Sequence, residues 1–415
     1  MDKARPFCIE KREVWEAYKR VRANQGAAGV DGQSIAEFEE DLSNNLYRIW
    51  NRMSSGSYFP PAVLRVEIPK DNGAGVRPLG IPTVSDRIAQ MVVKRYLEPK
   101  VEEHFHNDSY GYRPGRSAHE ALHVARSRCW KYDWVLDLDI KGFFDNIDWE
   151  LMMRAVHHHT DCKWVLLYIE RWLRAPVSMP DGTLMSREKG TPQGSVVSPV
   201  LANLFLHYAF DRWMSRNHPD IPFERYADDV ICHCRSEAQA RSLRDALEAR
   251  LATCKLELHP QKTKIVYCKD ANRRGSYSAQ EFDFLGYTFR PRRSKNRNGR
   301  LFTSFAPAVS NKAAKAMRQH MRGWRVQRRT DLDLDDLAQW VRPVVRGWVQ
   351  YYAKFYPSAL RCALRTLDHF LVRWAQRKYK RLRGHTKRAW GWLKSIRARQ
   401  PHLFPHWVPV SAVGR

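Results

Sequence analysis

Phe223-Glu224-Arg225-Tyr226-Ala227-Asp228-Asp229-Val230-Ile231-Cys232-His233-Cys234 places β-forming residues on both sides of two adjacent acids. The stretch reads as two short strands that meet at Asp228-Asp229. Two carboxylates crowded at such a junction repel one another, and a cation or a proton has to relieve them. Taken alone, Asp-Asp also suits an ordinary hairpin turn, so its meaning depends on what surrounds it.

Upstream, Val135-Leu136-Asp137-Leu138-Asp139-Ile140 is a second short apolar strand carrying acids, and Asp148 is a natural N-cap for a helix over 149–158. Residues 198–214 have helical spacing at Leu201, Leu204, Phe205 and Tyr208, and follow the loop Gly190-Thr191-Pro192-Gln193-Gly194-Ser195. Downstream, a helix over 237–255 and strands near 263–268 and 281–290 complete a unit. This succession predicts an α+β module with a mainly antiparallel sheet. Towards the N-terminus the periodicity predicts helices over 10–21, 34–53 and 85–98, a strand over 62–68, and a hairpin with a Gly-rich tip over 69–78. Beyond Pro291, residues 292–300 read as a loop ahead of an alternating strand over 301–305. After Pro307, helices near 310–325, 334–354, 358–382 and 386–399 form a small helical domain.

With 415 residues, 43% of them hydrophobic and 12% aromatic, the chain has a globular composition and room for two or three domains. The net charge of +27 is distributed unevenly. Residues 1–290 hold 42 Lys and Arg against 39 Asp and Glu, whereas 291–415 hold 29 against 5. Seven of the fifteen tryptophans lie in that basic last third, which can therefore pack a core and still present a cationic face. Its expected partner is a polyanion, with nucleic acid the default. There is no apolar window of membrane-spanning length and no apolar signal core at the start, so the expectation is a cytoplasmic chain without a membrane partner. The eight cysteines form no Cys-x-x-Cys pair, which argues against zinc and against a disulfide framework.

Asp139, at the end of its strand, is a natural third ligand beside Asp228 and Asp229. Carboxylates from adjacent strands suit oxygen-preferring Mg²⁺, and two such ions could activate a 3′-hydroxyl and stabilise leaving pyrophosphate. Lys70 and Arg77, on either side of the Gly-rich turn, could both reach a triphosphate. Phe144 stands where a strand turns into a helix, and Gln193 sits in a Gly-Pro loop that leads into another. Taken singly, each of these fits core packing or turn chemistry.

The order of the motifs is specific. Ile68-Pro69-Lys70 with Arg77-Pro78-Leu79-Gly80-Ile81-Pro82, Gly111-Tyr112-Arg113-Pro114-Gly115-Arg116-Ser117, Asp137-Leu138-Asp139-Ile140-Lys141-Gly142-Phe143-Phe144-Asp145, the Gln193 loop, Tyr226-Ala227-Asp228-Asp229 and Phe284-Leu285-Gly286-Tyr287 follow one another. Together they resemble a group II intron-encoded reverse transcriptase, in a short group IIC-like bacterial form, and Gly347-Trp348-Val349-Gln350-Tyr351-Tyr352 resembles that family's maturase segment. The resemblance implies a right-hand polymerase fold followed by an α-helical thumb. Its divisions are an N-terminal extension at 1–60, fingers and palm at 61–305, a thumb or maturase domain at 306–382, and a basic tail at 383–415 with possible DNA contacts. It also implies catalytic metal ligands at Asp139, Asp228 and Asp229, with the Ile140 carbonyl near one of two Mg²⁺ ions. Lys70, Arg77, Phe144, Gln193 and Lys262 are expected around the incoming dNTP, with Phe144 as the gate under the sugar. Arg113 and Arg116 are expected to touch template or fold the fingers, and Arg322, Arg325, Arg328 and Arg329 to meet RNA phosphates.

The implied partners are intron RNA or another RNA template, a DNA primer or target, and dNTPs. The implied activity is RNA-directed DNA polymerisation together with help in splicing. Two alternatives are a maturase acting mainly as an RNA-binding splicing cofactor, and a domesticated enzyme of defence, spacer capture or repair. Longer members carry a zinc-supported endonuclease with paired cysteines, which the lone Cys362 of the helical region does not match, so no endonuclease is expected. The consecutive His157-His158-His159 would splay round a helix, and Cys232 and Cys234 share a strand face without evident partners, so neither set predicts a metal site.

Overall fold

A computed structural model describes residues 6–69, 76–296 and 298–408. The chain divides into two compact units, residues 1–121 with 134–265, and residues 122–133 with 266–415.

In the first unit the opening helix, Lys11–Asn24, buries Val14, Ala17, Tyr18 and Val21 at helical spacing. The helix expected over 34–53 is two, Ile35–Glu40 and Leu42–Ser55. Ser34 and Glu37 form a capping box at the first, and Asp41 leaves helical geometry between them. Val84–Glu102 follows, with the Thr83 side chain accepting from the Asp86 N–H. The strands Val63–Pro69 and Val76–Ile81 pair antiparallel, with Ile68 opposite Arg77. The tip that joins them, and with it Lys70, lies outside the described residues.

The sheet that carries the acids has the order Phe223–Tyr226, Asp229–Cys234, Trp134–Leu138, and then Lys264–Tyr267, along which the chain leaves this unit. Its first three strands are antiparallel, with Tyr226 opposite Asp229 and Leu138 opposite Val230. Val135, Leu136, Ile231 and Cys232 are fully buried, so both faces of the sheet are covered. Asp148 caps the helix Trp149–His157 as expected, accepting from the Leu151 N–H at 3.0 Å. The helix expected over 198–214 runs to Asn217 but widens into a π-helical turn at His207–Asp211. Ala118–Cys129 and Lys163–Arg174 are helices that the sequence reading did not single out.

In the second unit the strand expected over 281–290 is a hairpin, Phe282–Phe284 against Tyr287–Lys295, turned by Leu285 and Gly286 at positive φ. Tyr287–Lys295 in turn pairs with Leu301–Val309, so half of the expected 292–300 loop is strand. Helices Asn311–Gly323, Leu334–Tyr352, Pro357–Lys378 and Thr386–Arg399 follow, close to expectation. Two quoted motifs meet here. The Tyr351 hydroxyl donates to the Leu285 carbonyl at 2.9 Å, and a Cβ on Gly286 would lie 2.8 Å from the Tyr352 hydroxyl.

Residues 383–408 are more than a tail. Phe404 and Trp407 are buried in the helical core, and Asp368 accepts from the His406 imidazole and the Trp407 indole, each at 2.9 Å. Pro405-His406-Trp407 therefore closes this core, because burying two aromatic rings outweighs leaving them in water.

Candidate active site

Asp228 and Asp229 sit at the turn between two antiparallel strands, where Ala227 takes a left-handed conformation at φ 57°. A non-glycine residue holds that conformation only where its surroundings enforce it. Arg225, fully buried, supplies the enforcement: its guanidinium grips the Asp211 carboxylate through two bonds of 2.7 and 2.6 Å. Its remaining Nη1 donates to the Ala227 carbonyl at 3.1 Å and to Asn203 Oδ1 at 2.9 Å. Asn203 passes the connection on, donating to the Gly111 carbonyl at 2.7 Å. Gly111 must lack a side chain, since a Cβ there would stand 2.3 Å from the Ala227 nitrogen. The π-helical turn brings Asp211 to Arg225, a use of such turns that recurs at functional sites.

Asp139 follows directly on the central strand and its carbonyl accepts from the His259 N–H at 2.7 Å. Burial first, and then the neighbouring acid Asp139, raise the Asp228 carboxyl above its usual range. Asp229 keeps an exposed edge, yet the surrounding protein, Asp228 and Asp139 together push it up to about 6. Arg77 opposes the shift at both acids and Lys262 opposes it at Asp229, so these cations face the acids. Lys262 Nζ also pairs with Asp139 at 3.1 Å. Among the described residues, no three acid, histidine or cysteine side chains already converge as a metal cage. The donor set is nevertheless all oxygen and its acids repel one another, which fits a hard divalent cation, for which Lys262 would have to leave Asp139. Ile140 is buried, bridged to Leu258.

The residues expected around a nucleotide are tied together by backbone. Phe144, half-buried and edge-on to Phe143 with 5.3 Å between rings, offers its carbonyl to the Thr191 N–H at 2.8 Å. The Gly190 N–H donates to Ile147 O at 2.7 Å, and a Cβ on Gly190 would collide with the Phe144 and Asp145 carbonyls. Gln193 accepts through its carbonyl from the Gly80 N–H at 2.7 Å, which joins its loop to the strand that carries exposed Arg77. Sequence reasoning passed over the residue that fixes this loop from behind. The buried Gln90 Oε1 accepts from the Ser195 hydroxyl and the Val196 N–H, each at 2.8 Å, while its Nε2 donates to Asp86 at 2.9 Å. Asp86 also accepts from Tyr58 and Trp172, and burial raises its carboxyl to about 6.

The other arginines divide. Arg113 is enclosed: it pairs with Glu102 at 2.7 Å and donates to the carbonyls of His106 and Ser109, so it folds its segment and presents nothing to a template. Arg116 lies over the Tyr110 ring at 5.8 Å. Arg322, Arg325 and Arg328 are exposed, whereas Arg329 pairs with Asp331 at 2.9 Å and covers the Trp340 ring. Cys232 and Cys234 are buried free thiols, both pushed up by burial, Cys234 to about 12. His157 and His158 are exposed, while His159 is half-buried on the Tyr208 hydroxyl at 2.8 Å. No helix among the described residues is long and apolar enough to cross a membrane.

A profile for reverse transcriptase (RNA-dependent DNA polymerase) matches residues 68–289, and one for the group II intron maturase-specific domain matches residues 314–390. Protein YkfC of Escherichia coli (strain K12) is 30% identical over 321 residues, 68% of this chain and 81% of that protein. Group II intron-encoded protein LtrA of Lactococcus lactis subsp. cremoris is 34% identical over 193 residues, 46% of this chain and 32% of LtrA, so the match spans about a third of LtrA. Nuclear intron maturase 1, mitochondrial, of Arabidopsis thaliana is 31% identical over 93 residues, 22% of this chain and 13% of that protein. With acids on adjoining strands of an antiparallel sheet, and with the polymerase profile covering more than half of the sequence, the chain belongs to the reverse transcriptase family, in its group II intron-encoded reverse transcriptase and maturase branch.

Proposed function

We propose that the chain copies RNA into DNA and also holds intron RNA during splicing, with fingers and palm in residues 61–305, an N-terminal extension before them, and a thumb in 306–382. The observation that carries the polymerase reading is the Asp228-Asp229 turn, raised by burial and by Asp139, and held from behind by Arg225. Asp139, Asp228, Asp229 and the Ile140 carbonyl would hold two Mg²⁺ ions. When bound, the ions activate the primer 3′-hydroxyl and stabilise the leaving pyrophosphate.

The chain's own side chains do the rest. Arg77, with Lys70, grips the triphosphate, since a guanidinium matches phosphate oxygens in two bonds. Lys262 neutralises Asp139 until the site is loaded, then is free to meet the nucleotide. The Phe144 ring lies under the sugar and clashes with a 2′-hydroxyl, which selects dNTPs, while Gln193 lines the pocket from its doubly tied loop. The exposed Arg322, Arg325 and Arg328 bind phosphates of folded RNA, and this supports the splicing role.

Primer extension on an RNA template tests the reading. Asp228→Asn is expected to abolish Mg²⁺-dependent dNTP incorporation while leaving melting temperature and RNA affinity near wild type. Extension at a comparable rate would remove Asp228 from the chemistry.

A further inference from the structure

The helix over 198–217 has a second working face. Asn203 and Asp211 point from it to Arg225, but Tyr208, Arg212, Trp213, Arg216 and Asn217, together with Arg250, line a cavity of about 380 Å³. Three guanidinium groups and two aromatic side chains meet there, and among the described residues no carboxylate lines the space. This is unusual in a unit where arginine commonly comes with an acid, as in Arg22–Glu39, Arg95–Glu13, Arg113–Glu102 and Arg241–Glu237. The nearest acid in sequence, Asp211, is already engaged by Arg225.

The walls are set in advance. The π-helical turn leaves the carbonyls of Tyr208 and Ala209 to Arg250, which donates to them at 2.9 and 3.1 Å. Neutral carbonyls fix the Arg250 guanidinium without cancelling its charge, and two of its five N–H groups remain beyond these bonds and the one to Thr253. Arg212 lies over the Tyr208 ring at 5.5 Å, and Trp213 packs on His218 at 4.9 Å. Fixed positive charge beside aromatic faces binds single-stranded nucleic acid, because phosphates take the guanidinium groups and every base has a face to stack. A space of this size accommodates about one nucleotide.

We propose that this cavity is a second RNA site, separate from the polymerase cleft, which holds one unpaired nucleotide of a single-stranded segment. Arg212, Arg216 and Arg250 would take its phosphate and Trp213 or Tyr208 its base. The proposal rests on RNA being this chain's polymer, so binding is measured apart from synthesis. The full chain is saturated with a short RNA–DNA primer–template duplex and then titrated with a labelled single-stranded RNA carrying thiouridine.

The wild type is expected to bind this second RNA and to crosslink within residues 207–217. The double variant Arg212→Ala with Arg216→Ala is expected to weaken that binding about tenfold, as loss of charge and stacking at one nucleotide allows, with extension of the short duplex within about twofold of wild type. Wild-type affinity and salt dependence in the double variant would overturn the proposal, as would the absence of second-RNA binding once the duplex is loaded. Displacement by adenosine monophosphate with no benefit from RNA length would overturn it in favour of a free-nucleotide site. A wild-type protein that fails to extend the duplex, but shows the arginine-dependent crosslink, would count against the polymerase reading and leave this one standing.

Discussion

In the unit that carries the acids, several arginines travel with carboxylates: Arg113 with Glu102, Arg225 with Asp211 and, on the surface, Arg174 with Glu170. In the helical unit Arg322, Arg325 and Arg328 face solvent, with no ion pair among the described residues. The same side chain is an internal strut at Arg225 and an external group at Arg322, Arg325 and Arg328. What separates the two uses is whether an acid accompanies it into the fold, since a buried guanidinium must be paired and an exposed one need not be. Sequence charge counts of 42 against 39 up to residue 290, and 29 against 5 beyond, give the same division in aggregate but cannot name the struts.

The comparison breaks if the strut proves dispensable. Arg225→Ala leaves Asp211 buried without its guanidinium and frees the Ala227 carbonyl, so it is expected to cost about 3–5 kcal/mol of stability and most of the polymerase activity. Denaturant melts check the first and primer extension the second. A near-wild-type melt would mean that the catalytic turn holds itself.

A smaller effect comes from the buried acid behind the Gln193 loop. Asp86 is raised from 3.8 to about 6, so its contribution to stability is present at low pH and is lost as pH rises from about 4 through 6. Asp86→Asn should remove that slope, a difference of up to about 3 kcal/mol across the window. Melting temperature against pH for both proteins reads it directly, and parallel curves would show that the proton is not taken up there.

The helical unit is tested through salt. Arg329 is already engaged by Asp331, so the triple variant Arg322→Ala, Arg325→Ala and Arg328→Ala, with Arg329 kept, should capture nearly the whole effect. Three lost phosphate contacts lower the slope of log affinity for RNA against log salt by about 2, near a hundredfold per decade of salt. Fluorescence anisotropy gives the slope, and an unchanged value would make these arginines a solvated face.

The smallest expected change sharpens the contrast. Phe144→Ala should raise rNTP use relative to dNTP about tenfold, roughly 1.4 kcal/mol, without altering the salt slope, while the arginine triple alters the slope without altering sugar choice. Single-nucleotide kinetics decide. An unchanged rNTP to dNTP ratio would remove Phe144 from the sugar site.

Much of the fold was readable because its signals are local. Alternation on either side of Asp228-Asp229, helical spacing after Ser198 and the Asp148 cap each lie within a few residues of what they specify. What the sequence concealed depends on residues far apart. Arg225 lies 14 residues from Asp211, and Gln90 lies 105 from Ser195. A signal existed for the first pair: Arg225 shares a strand face with apolar Phe223, and Asp211 follows directly on the buried apolar Ala209 and Phe210. A charge at each of two inward positions predicts a buried pair, although not its role behind the turn. Gln90 offered no such sign, since one glutamine among Val84, Ile88 and Met91 reads as a helix position like any other. The packing at the end of the helical unit was hidden because basic residues mask the two aromatics, Phe404 and Trp407, that close the core.

The second unit is discontinuous, and that orders events during synthesis. Residues 122–133 leave the ribosome early, but the Trp130 indole bonds to the Phe305 carbonyl 175 residues later, and the Cys129 and Tyr132 carbonyls wait for Arg273. The helical core then stays open until Trp407 has emerged to meet Asp368. A nascent chain therefore displays an unfinished apolar surface for most of its translation, and slow elongation through the basic last third would lengthen the window in which chaperones or aggregation compete for it.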